Sequence, residues 1–276
     1  MEHFHWDVDP VLAHIGMFEL LWYSVVFTLG LLLAMVRLMK AFKSRGFSER
    51  HAGTLAWALP AGMLVGAHLV HLAFYNPRAF IDAPMKIFDL GHGLASHGGA
   101  LGTILVTVWY ARRNRVPVHA YLDAVMVASI WVFPWVRIGN FFNSEILGRV
   151  TDVPWAVVFD RVDPTHARHP VQLYEAAAGF GLLGLSEWME RKLRGRLRPG
   201  TLFYALLGTY FAYRFTIEFW KDKQGIDEGW SLNMGHLLSI APFVLCAWMV
   251  FGPTRSKLFP LLTPSESEFP PPRAAG

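Results

Sequence analysis

A cluster of polar and charged side chains follows an apolar stretch, residues 121–136, that with its flanks is long enough to enter a bilayer. The cluster contains two arginines, two amides, a carboxylate and a glycine: Arg137, Asn140, Asn143, Glu145, Gly148 and Arg149. Such groups cost free energy when they stand near hydrocarbon without partners. We therefore expect the chain to use them on a polar molecule at the membrane surface, and a phospholipid headgroup is the nearest candidate.

A further arginine occurs inside another apolar stretch, where Arg214 precedes Glu218 by four residues. In a helix this spacing places both side chains on one face, where they can pair. One interpretation is a structural ion pair that joins helices. The other is a guanidinium that the carboxylate holds in place to bind a phosphate. Arg137 favours the second interpretation, because two arginines can bind one phosphate in a way that no single structural pair requires.

The tripeptide His97-Gly98-Gly99 is followed by Gly102 in a third apolar stretch. Gly98 and Gly102 form a small-xxx-small face, which predicts close helix packing. Packing does not explain His97, whose polar ring is costly beside such a face unless it is bonded or used. His97 is therefore a candidate general base or a donor to an anion.

Two further polar positions open the apolar segment that begins after Pro170, namely Gln172 and Glu175 on one predicted helix face. Proline in a first helical turn and the free N–H groups there favour anion binding, although a well-capped helix start has the same pattern. Tyr23 can be an ordinary interfacial aromatic residue or a hydroxyl inside the helical bundle. Both interpretations stay open for these residues.

The sequence predicts no metal site and no cofactor. His68 and His71 stand three apart and might be grouped with His97, but the spacing is not that of a zinc-binding HExxH helix and no obligate carboxylate accompanies it. The single cysteine, Cys246, lies in the last apolar run, allows no internal disulfide, and is expected to be a small buried apolar residue.

The composition indicates a polytopic membrane protein. The 276 residues are 53% hydrophobic and 17% charged, whereas soluble domains are about half apolar and about a quarter charged. The apolar residues come in blocks, each near the ~20 residues that a helix needs to cross the hydrocarbon core. We therefore predict an all-α polytopic membrane protein with seven transmembrane helices, roughly at 17–39, 52–75, 93–111, 119–138, 171–189, 200–220 and 232–252.

Basic residues predict the orientation of these helices. With the N-terminus outside, 16 of the 25 Lys and Arg residues fall in cytoplasmic segments and seven in external ones, as the positive-inside rule requires. The N-terminus is acidic and no convincing cleavage site follows, so we expect the first helix to stay in the membrane. The predicted topology is N-terminus out and C-terminus cytoplasmic.

The longer connections lie on the external side. Residues 139–170 are predicted to form a small periplasmic cap, with a short strand at 155–160. Residues 1–252 would then form one transmembrane catalytic domain, and residues 253–276, which lack hydrophobic periodicity, a disordered cytoplasmic tail. No internal repeat of the kind found in many transporters is evident.

Together these motifs resemble a known family over most of residues 16–245, the prolipoprotein diacylglyceryl transferases of the bacterial inner membrane. The resemblance rests on Trp22-Tyr23, His97-Gly98-Gly99 with Gly102, the run from Arg137 to Arg149, Arg168-His169-Pro170 with Gln172-Leu173-Tyr174-Glu175, Arg214 with Glu218-Phe219, and Met234-Gly235 with Leu238-Ser239. The chain departs from the family pattern at His68, where an arginine is usual, at Ser24 and His236, and at Lys221, the basic residue that follows Glu218-Phe219.

The resemblance implies a reaction. Members of the family move the diacylglyceryl group of phosphatidylglycerol onto the lipobox cysteine thiol of a prolipoprotein signal peptide, forming a thioether and releasing glycerol phosphate. Nucleic acid has no part in it. The family's important positions match Tyr23, His97, Arg137, Asn140, Glu145, Gly148, Arg214 and Glu218.

These residues suit that chemistry. Arg137 and Arg214 would neutralise the phosphate that leaves as an anion, and the two asparagines with Glu145 would hold the headgroup glycerol. His97 is the first candidate for the base that removes the thiol proton, with Tyr23 or a carboxylate as alternatives. Other hypotheses are an anion transporter that uses the two arginines as its binding ring, and an inactive or re-purposed paralogue.

Overall fold

The apolar segments fold into eight α-helices within the residues that the structure, a computed structural model, describes, which are 3–75, 85, 95–222 and 232–252. Their bounds are α1 (Trp22–Ser44), α2 (Glu49–Val70), α3 (Ser96–Arg113), α4 (Val118–Ser129), α5 (Phe133–Phe142), α6 (Val171–Lys192), α7 (Thr201–Ile217) and α8 (Met234–Phe251). A π-helical turn, His71–Tyr75, extends α2, and 3-10 turns at Arg194–Arg196 and Glu218–Trp220 follow α6 and α7.

Five short strands accompany the helices: β1 (Phe4–Trp6), β2 (Val11–Ile15), β3 (Phe18–Leu21), β4 (Val157–Phe159) and β5 (Asp163–Arg168). β4 pairs in parallel with β1, from Phe4 opposite Val157 to Trp6 opposite Phe159, and antiparallel with β5. Phe141, Val157 and Phe159 form a small buried core with Trp6 beside this sheet. The strand predicted within residues 155–160 is confirmed as β4.

Two boundaries differ from the prediction. The first apolar segment was expected to start at residue 17, but Phe18–Leu21 is β3, which pairs antiparallel with β2, and the helix starts only at Trp22. The segment predicted at 119–138 is divided, because α4 ends at Ser129 and α5 begins at Phe133 with a proline in its first turn. A proline fits there, since its missing N–H needs no partner in the first turn.

Four helical stretches in the described residues are long and apolar enough to cross a membrane: Trp22–Ser44, Glu49–Ala73, Val118–Phe142 and Met234–Phe251. The protein is thus a mostly helical, multi-pass membrane protein. The predicted segments at α3, α6 and α7 are not among these four; α7 has only 17 residues, and α6 carries buried glutamates. Seven spans and their orientation stay predictions, and the predicted tail lies outside the described residues.

The chain forms two compact units. The first contains the described parts of residues 1–37, 126–197 and 201–261, and the second those of 38–125 and 198–200. In the first unit, Val127, Ile130, Leu182 and Leu206 form a buried core that joins the end of α4 to α6 and α7.

In the second unit, α2 and α3 cross at glycines. A Cβ on Gly98 would collide with the carbonyl oxygen of Gly66, and a Cβ on Gly102 with that of Gly62. The predicted close packing at Gly98 and Gly102 is confirmed, and Gly99 lies against α2 as well, with its Cβ position 3.1 Å from Met63. Small residues allow such backbone contact between membrane helices.

Candidate active site

Arg137 projects from α5 into the interior of the first unit, where it is 6% exposed. Its Nη1 lies 3.2 Å from Oε2 of Glu175 on α6 and donates to Oδ1 of Asn140 at 3.4 Å. The guanidinium carbon lies 5.3 Å from the centre of the Phe133 ring, one turn earlier on α5. The Nε donor of Arg137 is buried and has no hydrogen-bond partner among the described residues.

Glu175 connects Arg137 to a second cation. Its side chain is fully buried, and its other oxygen, Oε1, accepts a hydrogen bond of 2.9 Å from Nζ of Lys221. Each carboxylate oxygen therefore faces a different positive charge. A buried carboxylate is stable only with such partners, because its removal from water costs several kcal/mol.

The predicted ion pair between Arg214 and Glu218 is not formed. Within the described residues the ionic partner of Glu218 is Lys221, with Nζ 3.6 Å from Oε2. The cause is the end of α7 at Ile217: Glu218 begins a 3-10 turn, which changes the rotation per residue and turns its side chain off the predicted face.

Arg214 instead interacts electrostatically with Glu175. Its Nε is buried and, in the part of the chain that the structure describes, lacks a hydrogen-bond partner. Glu175 thus forms an ion pair with Arg137 and a longer-range electrostatic interaction with Arg214, although the two arginines come from different helices. We call Arg137, Glu175, Arg214, Glu218 and Lys221 the charge cluster; with three cations and two carboxylates it carries a formal charge of +1.

An amide network lies beside the charge cluster. Asn140 and Asn143 each donate a hydrogen bond of 3.1 Å to a different oxygen of the Glu145 carboxylate. Gln172 donates to the Glu145 backbone carbonyl at 2.6 Å, so α6 holds this turn in place. The side chain of Glu145 is exposed, which leaves the network accessible to a ligand.

Tyr23 belongs to the same region. Its ring packs on the backbone of α5, where a Cβ on Gly139 would lie 2.7 Å from the Tyr23 ring. Tyr23 also interacts electrostatically with Glu145 and Arg137. The structure therefore brings the predicted Tyr23 hydroxyl, the amide network and the charge cluster together in one unit.

Gly148 and Arg149 have structural contacts that the sequence did not suggest. Gly148 pairs with Lys221 in an isolated antiparallel bridge, and the Arg149 amide donates to the Trp220 carbonyl at 2.9 Å. Nε of Arg149 donates to the Lys221 carbonyl at 3.0 Å. A Cβ on Gly148 would collide with the carbonyl of His169, so only glycine fits there. These residues fix the backbone of Lys221.

The environment shifts the pKa values of groups outside the membrane helices. Burial lowers the pKa of Lys221, Arg214 and Arg137 act in the same direction, and Glu175 and Glu218 oppose them. At β5, hydrogen bonds from His166, Arg168 and Thr165 hold the pKa of Asp163 well below its usual range. Burial lowers the pKa of His169.

His97 lies in the first turn of α3, in the second unit. Its part in catalysis stays a prediction, as do the substrate contacts predicted for Gly98 and Gly99. Among the described residues no group of three or more His, Cys, Asp or Glu side chains is placed to hold a metal ion.

The sequence analysis missed Lys221 as a site residue, because it was counted as an external loop charge. One signal was available: Lys221 follows Glu218 by three residues, directly after an apolar stretch. It did not identify Asn233, and it named His236 only as a departure from the family pattern; both side chains are almost fully buried. These two residues form a capping box at the start of α8, where the backbone N–H of Asn233 donates to Nδ1 of His236 at 2.9 Å.

The chain is similar to known proteins over most of its length. A family model described as prolipoprotein diacylglyceryl transferase matches residues 10–252. A protein of Tolumonas auensis named phosphatidylglycerol–prolipoprotein diacylglyceryl transferase is 36% identical over 245 residues, which cover 87% of this chain and 93% of that protein.

Proteins with the same name from two other bacteria are similar over comparable lengths. The one from Chloroherpeton thalassium is 36% identical over 255 residues, 89% of this chain and 92% of its own. The one from Geobacter sulfurreducens is 32% identical over 260 residues, 92% of this chain and 98% of its own.

Proposed function

Because the chain belongs to the prolipoprotein diacylglyceryl transferase family, we propose that it transfers the diacylglyceryl group of phosphatidylglycerol to a prolipoprotein at the charge cluster. One observation carries the location of the site. Arg137 forms an ion pair with Glu175, Arg214 interacts with the same carboxylate at longer range, and each arginine has a buried Nε donor without a hydrogen-bond partner in the described residues. A buried donor without a protein partner can bind an anionic acceptor, such as the phosphate of the lipid.

The reaction explains why cations are needed there. The thiolate sulfur of the lipobox cysteine attacks the glyceryl carbon that carries the phosphate, and the carbon–oxygen bond breaks. A thioether forms, and glycerol phosphate leaves with the bonding electron pair. Arg137 and Arg214 stabilise the negative charge that develops on the leaving group, and they act strongly because the surroundings exclude water.

The other predicted site residues are assigned roles in substrate binding and catalysis from their positions. Asn140, Asn143 and Glu145 hold the hydroxyl groups of the headgroup glycerol, since both amides and the carboxylate converge on an exposed turn. From α6, Glu175 holds Arg137 and Gln172 holds the backbone of Glu145. Glu218 and Gly148 hold the side chain and the backbone of Lys221. His97 is proposed as the base that accepts the thiol proton, with Tyr23 or a carboxylate as alternatives.

The transferase is proposed to lie in the bacterial cytoplasmic (inner) membrane, with seven helices, the N-terminus outside and the active site towards the periplasm. The basic residues of the predicted cytoplasmic segments support this orientation. Residues 139–170 form the periplasmic cap, 1–252 the catalytic domain and 253–276 the cytoplasmic tail. Its partners are phosphatidylglycerol, other membrane lipid and lipobox signal peptides; it needs no cofactor, metal or nucleic acid.

A transfer assay tests the function. Purified full-length protein is incubated with phosphatidylglycerol vesicles and a lipobox peptide, and the peptide mass is followed. We expect a diacylglyceryl thioether on the cysteine, and no product with a Cys-to-Ser peptide or with phosphatidylcholine alone. Absence of product with the matched lipid and peptide would refute the proposal. Uptake of an anionic solute into liposomes without thioether would instead favour a transporter.

A further inference from the structure

Lys221 occupies the centre of the charge cluster. It is 6% exposed, and its ammonium group lies 2.9 Å from Glu175 and 3.6 Å from Glu218. A lysine is seldom buried so deeply unless it is paired with opposite charge, because removing its ammonium group from water is costly.

The charges show what Lys221 changes. Without it, two arginines would face two buried carboxylates, and the cluster would have no formal charge. Glu175, which already contacts Arg137, would then compete more strongly with an incoming phosphate for the arginine donors. With Lys221 bound to both carboxylates, one positive charge is left over, which matches the single charge of a phosphodiester.

The main chain around Lys221 is held as firmly as its side chain. Arg149 donates to its carbonyl through Nε and to the preceding Trp220 carbonyl through its amide, and Gly148 pairs with it across the bridge. A residue that bound substrate by moving towards it would not need this double attachment. The arrangement favours a fixed charge.

We propose that Lys221 is a positioning residue, which offsets part of the negative charge of Glu175 and Glu218 so that the unpaired donors of Arg137 and Arg214 stay available to the lipid phosphate. The proposal rests on the function proposed above. It differs from a direct phosphate ligand and from a purely structural ion pair, because it acts through the carboxylates.

Charge compensation separates these roles. Detergent-solubilised full-length protein is titrated with phosphatidylglycerol that carries a fluorescent acyl chain, and binding is read by anisotropy. We expect Lys221→Met to weaken binding by about tenfold or more. Lys221→Arg keeps the charge and should stay within about threefold of wild type. Lys192→Met removes an exposed lysine at the end of α6 and is the matched control, which should bind as wild type does.

The double variant Lys221→Met with Glu175→Gln decides the question. It restores the charge of +1, and we expect binding within about threefold of wild type. Binding that stays tenfold weaker would overturn the proposal, as would unchanged binding in Lys221→Met. If Lys221→Met does not fold, the double variant still gives the answer, because it leaves no buried carboxylate facing the missing lysine at 2.9 Å. Failure of wild type to bind or to transfer would refute the proposed function instead.

Discussion

Replacing Arg137 by alanine tests the proposed chemistry most directly. The variant removes one positioned donor from the leaving phosphate, and loss of one such donor lowers kcat by about 10²–10³-fold. Arg214 and Lys221 stay in place and still carry positive charge near the phosphate, so we expect a loss near the lower end, about 10²-fold. Arg137→Lys keeps the charge but loses the planar fork, and should lie between wild type and alanine.

The structure also predicts the effect of Arg137→Ala on stability. Breaking a buried ion pair costs about 3–5 kcal/mol when it leaves the partner charge without compensation. Here Glu175 keeps its 2.9 Å contact with Lys221. We therefore expect a smaller loss, about 1–3 kcal/mol, and a protein that remains folded in detergent.

The assay is the thioether transfer described above, run at saturating peptide with a range of phosphatidylglycerol concentrations. Arg191→Ala is the control, because that arginine is 74% exposed and its carboxylate contact is long, at 3.9 Å. It should turn over like wild type. Turnover of folded Arg137→Ala within about threefold of wild type would contradict charge stabilisation by this arginine.

Three other perturbations give separate tests. Gly148→Ala places a methyl group against the carbonyl oxygen of His169 and should lower transfer by about tenfold or more by displacing the backbone bridge to Lys221. Activity like that of wild type would contradict this role. Gly98→Val forces α2 and α3 apart and should reduce the monodisperse fraction in size-exclusion chromatography. Hydrogen bonds from His166 and Arg168 lower the pKa of Asp163 in the folded protein. The ionised carboxylate therefore stabilises the fold at pH values above its ordinary pKa of about 3.9, and this contribution is lost as the pH falls through the lowered pKa of the folded protein. Resistance of the cap to limited proteolysis should therefore persist at pH 5 and be weaker in Asp163→Asn; equal resistance of the two proteins at pH 5 would show that the carboxylate does not hold the cap.

The helical part of the fold was predictable because long apolar runs leave few alternatives in a membrane. The predicted segments fall within a few residues of α1, α2, α3, α6, α7 and α8. The β2–β3 hairpin was missed because three of the four residues of Phe18–Leu21 are apolar and the segment runs directly into Trp22, so hydropathy alone does not separate strand from helix. The sequence does contain one indication of the division between α4 and α5, because Pro134 is typical of a first helical turn and lies at the start of α5.

The site was predictable in its residues but not in its pairings. Arg137, Asn140 and Glu145 were identified from their spacing, and they do meet. The pairing of Arg214 with Glu218 was wrong because four-residue spacing places side chains together only while the helix continues, and α7 ends between them. Lys221 was overlooked because its partner Glu175 lies 46 residues away in sequence, and only the folded chain brings the two together.

The bridge between Gly148 and Lys221 couples the outer surface of the protein to its buried charges. The segment that carries Gly148 also pairs with β5 through Val150 and Arg168, so the cap and the ammonium group share one continuous backbone attachment. Displacement of β5 would therefore also displace the backbone of Lys221, although the two are more than fifty residues apart in sequence.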